Sequence, residues 1–338
     1  MNNSKKTQKT KESAKVNKII CGDSIEVLSK MEENSVDLVV TSPPYFQQRK
    51  YDTDSDLEIG HEDNTTIYNI VLGKVFYHCF RVCKPTGNIV FNIGDSYKDK
   101  NLQLVPYRFA INILDHYHHT NLKLINDITW VKSNPTPRQY DRRLVSSTEP
   151  FFHFAKTDDY YYDRDAFQYS EVKQKEITAT KGDAYLDKIY NSRLTEKEKK
   201  AAVDAVYQAR QDIIDGKITD FRMKIRGVHK LAFGGQQGGR NNEIKNNGFT
   251  VIRMTGKKMK RDVIESPVDN NKGIKHPAIF PLQVIKEMVL LLSPKGGVVL
   301  DPFCGSGTTC LAAKEFGRKY IGIDLSKEYC KISRNRLK

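Results

Sequence analysis

The chain has 338 residues, of which 38% are hydrophobic and 28% are charged, and its formal net charge is +14. This length suits one large α/β domain with an insertion, or two domains. The composition is typical of a globular protein and excludes a membrane-spanning one, because the longest apolar run, around residues 288–292, falls far short of the roughly 20 residues that a bilayer requires.

The N-terminal region predicts a tail, then a strand and a helix. Residues 1–16 are polar and lysine-rich, so they predict a disordered basic tail and neither a secretory signal nor a membrane anchor. Residues 18–21 predict a short strand that ends at Gly22 and Asp23, and a helix follows to about residue 31. The six cysteines lack metal-binding spacing, which predicts reduced thiols in a cytoplasmic protein and no metal site.

The next region predicts a buried strand that ends abruptly. Residues 36–40 have the pattern of a buried strand, and residues 41–45 read TSPPY. Two consecutive prolines cannot continue a central strand, so the chain leaves the sheet there. Residues 65–82 carry apolar positions at helical spacing, and residues 88–93 predict the next strand. This alternation predicts an α/β fold with a doubly wound, mostly parallel sheet.

Residues 160–264 have a different character, because the strand–helix alternation stops. The capping box from Thr195 to Glu198 predicts one helix, and Gly216 ends it. Residues 216–261 contain twelve Lys or Arg residues and only two acids, which gives this stretch a net charge of +10. Such a concentration of positive charge favours a polyanionic partner.

The α/β alternation returns in residues 265–338. A helix is predicted over residues 280–292, and the strand after it leads into residues 301–309, which read DPFCGSGTT. The glycines allow the backbone to turn tightly against a ligand before the next helix begins. Asp324 ends the following strand, 23 residues after Asp301. An acid at this spacing binds ribose hydroxyls in dinucleotide-binding folds.

This loop disfavours two common classes of nucleotide. The loop does not read GxGxxG, and no GK[ST] follows it, so it lacks the motifs that bind pyrophosphate and triphosphate ligands. Residues 301–309 instead closely resemble the S-adenosylmethionine loop of amino-directed DNA methyltransferases. Residues 276–281, HPAIFP, resemble the motif that precedes this loop in the β group of that family. Residues 127–137 and 149–156 resemble the segment that borders the target-base pocket.

The resemblance covers roughly residues 17–157 and 265–335, and it implies a Rossmann-like fold with S-adenosylmethionine as the cofactor and no metal. The residues that it assigns to the cofactor are Asp23, His276, Phe280, Asp301, Phe303, Gly305, Ser306, Gly307, Thr308 and Asp324. By this resemblance Thr308 reaches the methionine carboxylate, Asp324 holds the ribose, and Asp23 contacts the adenine edge.

Residues 41–45 suit the methylation of an exocyclic base amine. Such a nitrogen is a poor nucleophile because its lone pair is delocalised into the ring, so an enzyme must accept its N–H protons and aim the lone pair at the sulfonium methyl. Ser42 Oγ and the Pro43 carbonyl can accept those protons, since Pro44 has no N–H and the strand has ended. Tyr45 can stack on a flipped base. The absence of a Pro-Cys dipeptide disfavours the ring-carbon methyltransferases.

These assignments predict a basic tail at 1–16, a catalytic domain in two parts at 17–159 and 265–338, and an inserted target-recognition region at 160–264. The predicted partner is double-stranded DNA, with a cognate restriction endonuclease acting on the same site without a stable complex. The predicted DNA-binding residues are Arg222, Arg226, Arg240, Lys257, Lys258, Lys260 and Arg261.

The resemblance therefore implies a site-specific DNA methyltransferase of a restriction–modification system. SPPY in place of DPPY leans towards cytosine N4, and adenine N6 remains open because base choice does not follow from the hydroxyl alone. A catalytically inactive DNA-binding protein of the same fold is the alternative of another class. The intact residues 42–45 and 305–307 argue against it, and the basic insertion disfavours an RNA or protein-amide substrate.

Overall fold

The computed structural model describes residues 16–48, 58–135, 142–166, 182–229, 240–254, 260–268 and 280–338. The chain divides into two compact units. Unit 1 comprises residues 1–166 and 261–338, and unit 2 comprises residues 167–260. Each unit is built around its own secondary structure.

The strands alternate with helices along most of the chain, as the sequence predicts. The strands are β1 (Lys18–Cys21), β2 (Val36–Thr41), β3 (Cys83–Asn92), β4 (Tyr97–Lys98), β5 (Asn101–Leu102), β6 (Lys123–Lys132), β7 (Thr148–Ala155), β8 (Asp220–Ile225), β9 (Phe249–Met254), β10 (Val263–Ser266), β11 (Val298–Asp301) and β12 (Lys319–Asp324). The helices are α1 (Ser24–Lys30), α2 (Thr65–Val82), α3 (Val105–His116), α4 (Asp183–Tyr190), α5 (Glu196–Ile214), α6 (Arg240–Asn247), α7 (Leu282–Leu292), α8 (Thr308–Glu315) and α9 (Lys327–Arg336).

The main sheet of unit 1 has eight strands within the described part of the chain, in the order β1-β12-β11-β2-β3-β7-β6-β10. The strands from β1 to β3 are parallel to their neighbours, β7 is antiparallel to both β3 and β6, and β10 is parallel to β6. Every residue of β2 is buried, which requires that both faces of the sheet are covered. The fold is therefore the Rossmann-like, doubly wound and mostly parallel sheet that the sequence predicts.

An aromatic cluster fills one face of this sheet. Phe76 of α2 lies at the centre, with ring centroids 5.7 Å from Phe91, 6.2 Å from Phe109, 5.5 Å from Tyr117 and 5.2 Å from Phe154. Through these ring contacts α2 and α3 pack against β3 and β7. On the sheet, α7 packs against β2, and α8 packs against β11 and β12.

Unit 2 has a core of its own, which the sequence does not reveal beyond α5. The predicted capping box is confirmed, because Glu198 N donates to Thr195 Oγ1 and the Glu198 carboxylate accepts from Thr195 N. The antiparallel strands β8 and β9 pack on α5 through Phe221, Met223 and Ile225, which alternate along β8. Helices α4 and α6 complete the unit.

The boundaries of unit 2 differ from the predicted insertion at 160–264. Residues 160–166 belong to unit 1, where Tyr161 N donates to Thr86 O at 2.8 Å and Asp163 N to Leu291 O at 2.8 Å. Residues 261–264 also belong to unit 1, since β10 pairs with β6. Helix α7 begins at Leu282 rather than at residue 280, after Pro281 in the N-cap position.

Candidate active site

The two loops that the sequence singles out lie at one edge of the sheet. Strand β11 pairs in parallel with β2, with Leu300 opposite Val39, so residues 41–45 and 301–309 leave neighbouring strands at their carboxyl ends. Strand β12 lies on the other side of β11 and brings Asp324 to the same edge. In open α/β sheets this edge is where ligands bind.

Asp301 joins the two loops directly. Its Oδ1 accepts from Thr41 Oγ1 at 2.7 Å and from Phe303 N at 3.0 Å, and its Oδ2 accepts from Thr309 Oγ1 at 2.6 Å. Burial raises the pKa of Asp301 to about 6, against the opposing effect of these hydrogen bonds. The sequence predicts Asp301 as a cofactor ligand, whereas its buried carboxylate is engaged inside the protein and braces the cofactor loop against β2.

The glycines of the cofactor loop occupy positions that other residues disfavour. Gly305 has φ +50° and Gly307 has φ +81°. A Cβ at Gly307 would lie 3.0 Å from the side chain of Ser333 on α9, and Ser333 Oγ itself donates to Gly305 O at 2.5 Å. The loop is thus held close against α9, and a larger residue at Gly307 is both strained and crowded.

Arg336 is a site residue that the sequence does not indicate. Its Nη1 donates to Ser306 O at 2.7 Å and lies 2.9 Å from Ser306 Oγ and 3.3 Å from Thr308 Oγ1. Both hydroxyl-bearing residues are buried. No motif surrounds position 336, and the interaction spans about 30 residues and depends on how α9 folds back over the loop. The predicted role of Thr308 at the methionine carboxylate stays a prediction.

Asp324 faces the start of the cofactor loop. Its Oδ2 accepts from Gly305 N at 2.8 Å and its Oδ1 from Ser326 N at 2.8 Å. Burial raises the pKa of Asp324, while these two backbone donors oppose the rise. Each carboxylate oxygen has a further lone pair that a ribose hydroxyl can use. Asp23, at the end of β1, caps α1 by accepting from Glu26 N at 2.8 Å.

The TSPPY loop carries the two oxygens to which the sequence analysis assigns the amine protons, and that assignment stays a prediction. Among the described residues no donor reaches the Pro43 carbonyl, whereas the Pro44 carbonyl accepts from Tyr68 Oη at 2.8 Å. Ser42 Oγ lies 3.1 Å from Tyr45 Oη. The Tyr45 ring packs on Gly94, where an added Cβ would stand 2.3 Å from Tyr45 Cε2. Gly94 therefore leaves the space that the ring occupies.

The Tyr45 hydroxyl belongs to a polar network that the sequence does not reveal. It lies 2.7 Å from Asn92 Oδ1 and 2.9 Å from Glu149 Oε2. Lys132 Nζ forms an ion pair with Glu149 Oε1 and lies 5.0 Å from the centre of the Trp130 ring. The segment around Glu149 is among those that resemble the border of the base pocket, and the pairing of β6 with β7 places Glu149 opposite Trp130.

Other predicted site residues fall in different surroundings. Phe280 stacks on Phe151 with ring centroids 5.8 Å apart, and His276 lies outside the described residues. Phe303 is half-buried beside the large core of unit 1. In the described part of the chain no cluster of His, Cys, Asp and Glu has the composition of a metal site, and no helix has the length and apolar content to cross a membrane.

The predicted DNA-binding residues divide into three groups. Arg222, Arg240 and Arg261 are exposed, and Lys260 is half-buried. Arg226 is engaged within unit 2, because Nη2 donates to both carboxylate oxygens of Glu198 at 2.8 and 2.9 Å and Nη1 donates to Lys245 O at 3.0 Å. These bonds join the residue after β8 to α5, and the DNA-binding role of Arg226 stays a prediction. The remaining two, Lys257 and Lys258, lie outside the described residues.

Comparisons with known proteins agree with this geometry. Residues 36–335 match the N6/N4 methyltransferase family model, described as DNA methylase. The type II methyltransferase M.SfiI of Streptomyces fimbriatus is 25% identical, over 91% of this chain and 88% of that protein. The structure of PvuII DNA methyltransferase (cytosine-N4-specific) aligns with a TM-score of 0.57 at 17% identity, over 94% of this chain and 85% of that one. The M1.HpyAVI–SAM complex aligns with a TM-score of 0.50 at 19% identity, over 95% and 98% of the two chains.

Proposed function

We propose that this chain, which belongs to the N6/N4 family of DNA methylases, transfers a methyl group from S-adenosylmethionine to cytosine N4 in duplex DNA at a specific sequence. The observation that carries the proposal is the hydrogen bond between Thr41 and Asp301, which holds the TSPPY loop beside the glycine loop. A cofactor on one loop then faces an amine held by the other.

The glycine loop and its neighbours are suited to S-adenosylmethionine. The backbone turns at Gly305 and Gly307 lie next to the carboxylate of Asp324, which bonds Gly305 N at the same sheet edge. Asp23 stands at the end of β1, which pairs with β12. When bound, the cofactor supplies an electrophilic sulfonium methyl. The similar M1.HpyAVI structure is a complex with SAM, which supports the same ligand here.

The TSPPY loop supplies the groups that a base amine requires. Ser42 Oγ and the Pro43 carbonyl accept the two N–H protons of the amine and so direct its lone pair at the methyl carbon. Their dipoles are fixed before the substrate arrives, because the prolines and the Thr41 bond restrain the loop. An amine of a paired base is out of reach inside a duplex, so the target base is flipped into the site and stacks on Tyr45.

Cytosine N4 is favoured over adenine N6 by two observations. The residue before Pro43 is a serine, whereas adenine-directed members of the family carry an aspartate at this position. The solved structure with the TM-score of 0.57 is described as cytosine-N4-specific. Adenine N6 is the alternative product, and identification of the methylated nucleoside distinguishes the two.

The phosphate contacts of the DNA are assigned to exposed basic residues. Arg222 and Arg240 of unit 2 and Arg261 of unit 1 are exposed, and no acid among the described residues engages them as Glu198 engages Arg226.

Neutralising Lys257, Lys258, Lys260 and Arg261 together weakens DNA binding and flattens its dependence on salt, by about one unit of slope for each phosphate that is no longer neutralised. An unchanged slope in the quadruple variant contradicts this placement.

The biological role that follows is protection of DNA in a restriction–modification system. The relative M.SfiI is named as a type II methyltransferase, which supports this role. A cognate endonuclease would recognise the same sequence, without forming a stable complex with this chain. The alternative of another class is a protein that binds DNA and has lost catalysis.

One experiment separates these outcomes. The purified chain is incubated with S-adenosylmethionine labelled in the methyl group and random-sequence duplex DNA, and the DNA is digested to nucleosides for mass spectrometry. We expect N4-methylcytosine. Recovery of N6-methyladenine overturns the base assignment and retains the reaction class, while retained DNA binding without any methylated nucleoside supports the inactive protein. Single-stranded RNA and a protein mixture serve as matched substrates, and label in either of them contradicts the DNA specificity.

A further inference from the structure

Methyl transfer leaves a proton that the TSPPY loop cannot retain. The amine nitrogen becomes cationic when it takes the methyl group from the sulfonium, and it returns to neutrality only by losing an N–H proton. Ser42 Oγ and the Pro43 carbonyl, the groups placed against the amine, are not bases of useful strength at neutral pH. A nearby carboxylate is the kind of group that can hold the proton.

The Tyr45 hydroxyl connects Ser42 to such a carboxylate. Ser42 Oγ donates to Tyr45 Oη at 3.1 Å, and Tyr45 Oη lies 2.9 Å from Glu149 Oε2. Asn92 Oδ1 is a second acceptor at 2.7 Å, and its orientation is set because Asn92 Nδ2 donates to Pro150 O at 3.0 Å. One phenolic proton cannot satisfy two acceptors at once. The hydroxyl is therefore placed where it can donate to either the amide or the carboxylate.

Lys132 keeps the carboxylate in place. Its ammonium group pairs with Oε1 of Glu149, which leaves Oε2 towards Tyr45. Both side chains are mostly buried, with 19% of Lys132 and 14% of Glu149 exposed. Strands β6 and β7 fix the pair, since residue 149 is in register with Trp130 and Lys132 lies two residues further on the same face of β6.

On the basis of the function proposed above, we propose that Glu149 is the acceptor of the proton released by methyl transfer, reached through Ser42 and Tyr45. The amine nitrogen forms its bond to the methyl carbon while the carbon–sulfur bond breaks and its electron pair stays on sulfur, which becomes a neutral thioether. The N–H bond breaks, its electron pair returns to nitrogen, and the proton passes to Ser42 Oγ. Ser42 passes its own proton to Tyr45, and Tyr45 passes its proton to Glu149 Oε2.

This sequence leaves the protein chemically unchanged except for one proton. Ser42 and Tyr45 each gain and lose a proton, Glu149 becomes neutral, and the positive charge that began on sulfur is cancelled by the carboxylate. The proton then leaves Glu149 for solvent before the next turnover. In this path Glu149 accepts a proton through Tyr45. A group that only orients the tyrosine ring would accept none.

Two variants of Glu149 distinguish proton transfer from orientation. Glu149→Gln keeps the size and an acceptor oxygen for Tyr45 but cannot take a proton, whereas Glu149→Asp keeps the carboxylate and shortens the side chain. We expect Glu149→Gln to lower the single-turnover rate of methyl transfer by about 100-fold or more, with KM values for cofactor and DNA within roughly threefold of the parent. Glu149→Asp should recover a rate at least about tenfold above that of the glutamine variant.

A second test does not depend on Glu149 variants folding well. Tyr45→Phe keeps the ring that packs on Gly94 and removes the hydroxyl that joins Ser42 to the carboxylate. We expect it to slow transfer as much as Glu149→Gln does, and the double variant to be no slower than either single one, because both interrupt one path. Asp158→Asn, which breaks the exposed Lys123–Asp158 ion pair at the far end of β6, is the matched control and should leave the rate unchanged.

The outcomes separate this inference from the function on which it rests. A parent chain that methylates no DNA overturns the proposed function itself. A parent chain that methylates DNA, with Glu149→Gln as fast as Glu149→Asp or faster, overturns only the proton path and assigns Glu149 to orientation of Tyr45. Additive losses in the Tyr45→Phe and Glu149→Gln double variant also contradict a single path.

Discussion

The sheet edge of unit 1 and the core of unit 2 are each stabilised by internal hydrogen bonds, and these bonds differ in how far apart along the chain their partners lie. At the sheet edge the bonds join distant parts of the chain: Thr41 to Asp301 across 260 residues, and Ser24 to Pro302 across 278. In unit 2 the pairing is local, with Arg226 bonded to Glu198 across 28 residues. The site of chemistry therefore depends on the whole of unit 1 being assembled, whereas unit 2 closes on its own core. Changes in the first should abolish transfer on any DNA, and changes in the second should alter affinity for DNA.

The largest expected effect follows from Asp301→Ala. The change leaves the Thr41 and Thr309 hydroxyls and the Phe303 amide without their acceptor, so the free energy of unfolding should fall by about 3 kcal/mol and methyl transfer by roughly 1,000-fold. Urea unfolding and a single-turnover assay measure the two effects. Asp301→Asn, which keeps the shape and part of the bonding, is the matched control and should lose less of both. An Asp301→Asn variant as stable and as active as the parent would show that the side-chain volume matters and the carboxylate's hydrogen bonds do not.

The pH dependence of stability isolates the same carboxyl group. Its folded pKa of about 6 lies above the ordinary value of 3.8, so between these pH values the folded chain binds more protons than the unfolded chain. The contribution of Asp301 is therefore fully present below about pH 4 and is lost as pH rises through about 6, by a free energy on the order of 3 kcal/mol. The free energy of unfolding of the native chain minus that of Asp301→Asn should fall across this window. A difference that rises with pH would contradict the burial of this group.

Asp324→Ala should weaken cofactor binding, through the lost ribose contact proposed above and through the Gly305 amide that loses its acceptor. On the proposed assignment of Asp324 to the ribose hydroxyls, its removal costs about 1.5–3 kcal/mol, so cofactor affinity measured by calorimetry should fall by roughly 10- to 100-fold. DNA affinity without cofactor should stay the same. Asp324→Asn, which keeps the shape of the side chain and one acceptor oxygen, is the matched control and should lose less affinity. Unchanged affinity in Asp324→Ala would remove the ribose assignment.

The smallest effect is expected in unit 2. Arg226→Ala breaks a partly exposed pair with Glu198 and should lower the stability of unit 2 only slightly, with an unchanged transfer rate at saturating DNA. Arg222→Ala, at an exposed position of β8, should instead weaken DNA binding without a change in stability. Thermal unfolding and DNA titration compare the two. Loss of transfer at saturating DNA in Arg226→Ala would mean that unit 2 is not independent of the chemistry.

Much of unit 1 can be predicted because its signals are local. The predicted bounds of β1 and of α2, at 18–21 and 65–82, are those observed, since the apolar period and the terminal residues agree. The prolines after β2 and the glycines after β11 mark strand ends, and parallel pairing alone then brings the two loops to one edge. The fold and the order of its motifs therefore follow from the sequence.

The bonds that complete the site could not be predicted, because each is set by packing. A strand-end aspartate has the same sequence pattern whether its carboxylate faces a ligand or the protein. Only the structure shows that the hydroxyls of Thr41 and Thr309 donate to Asp301. Arg336 and Glu149 reach the loops only once α9 and β7 are in place. Strand β8 alternates between buried apolar and polar residues, but its partner β9 follows only after α6, so the pairing of the two strands is set by packing.

The most direct test of the account is a crystal structure of the chain with S-adenosylmethionine bound. In the reactive arrangement the amine nitrogen of the base lies about 3–3.5 Å from the methyl carbon of the cofactor and about 3 Å from Ser42 Oγ. In the cofactor complex the methyl carbon should therefore lie roughly 4–6 Å from Ser42 Oγ. We expect the cofactor against the glycine loop and Asp324, with its methyl group directed at Ser42 and Pro43. A cofactor bound elsewhere, or one whose methyl group points away from the TSPPY loop, would contradict the claim that the two loops form one site.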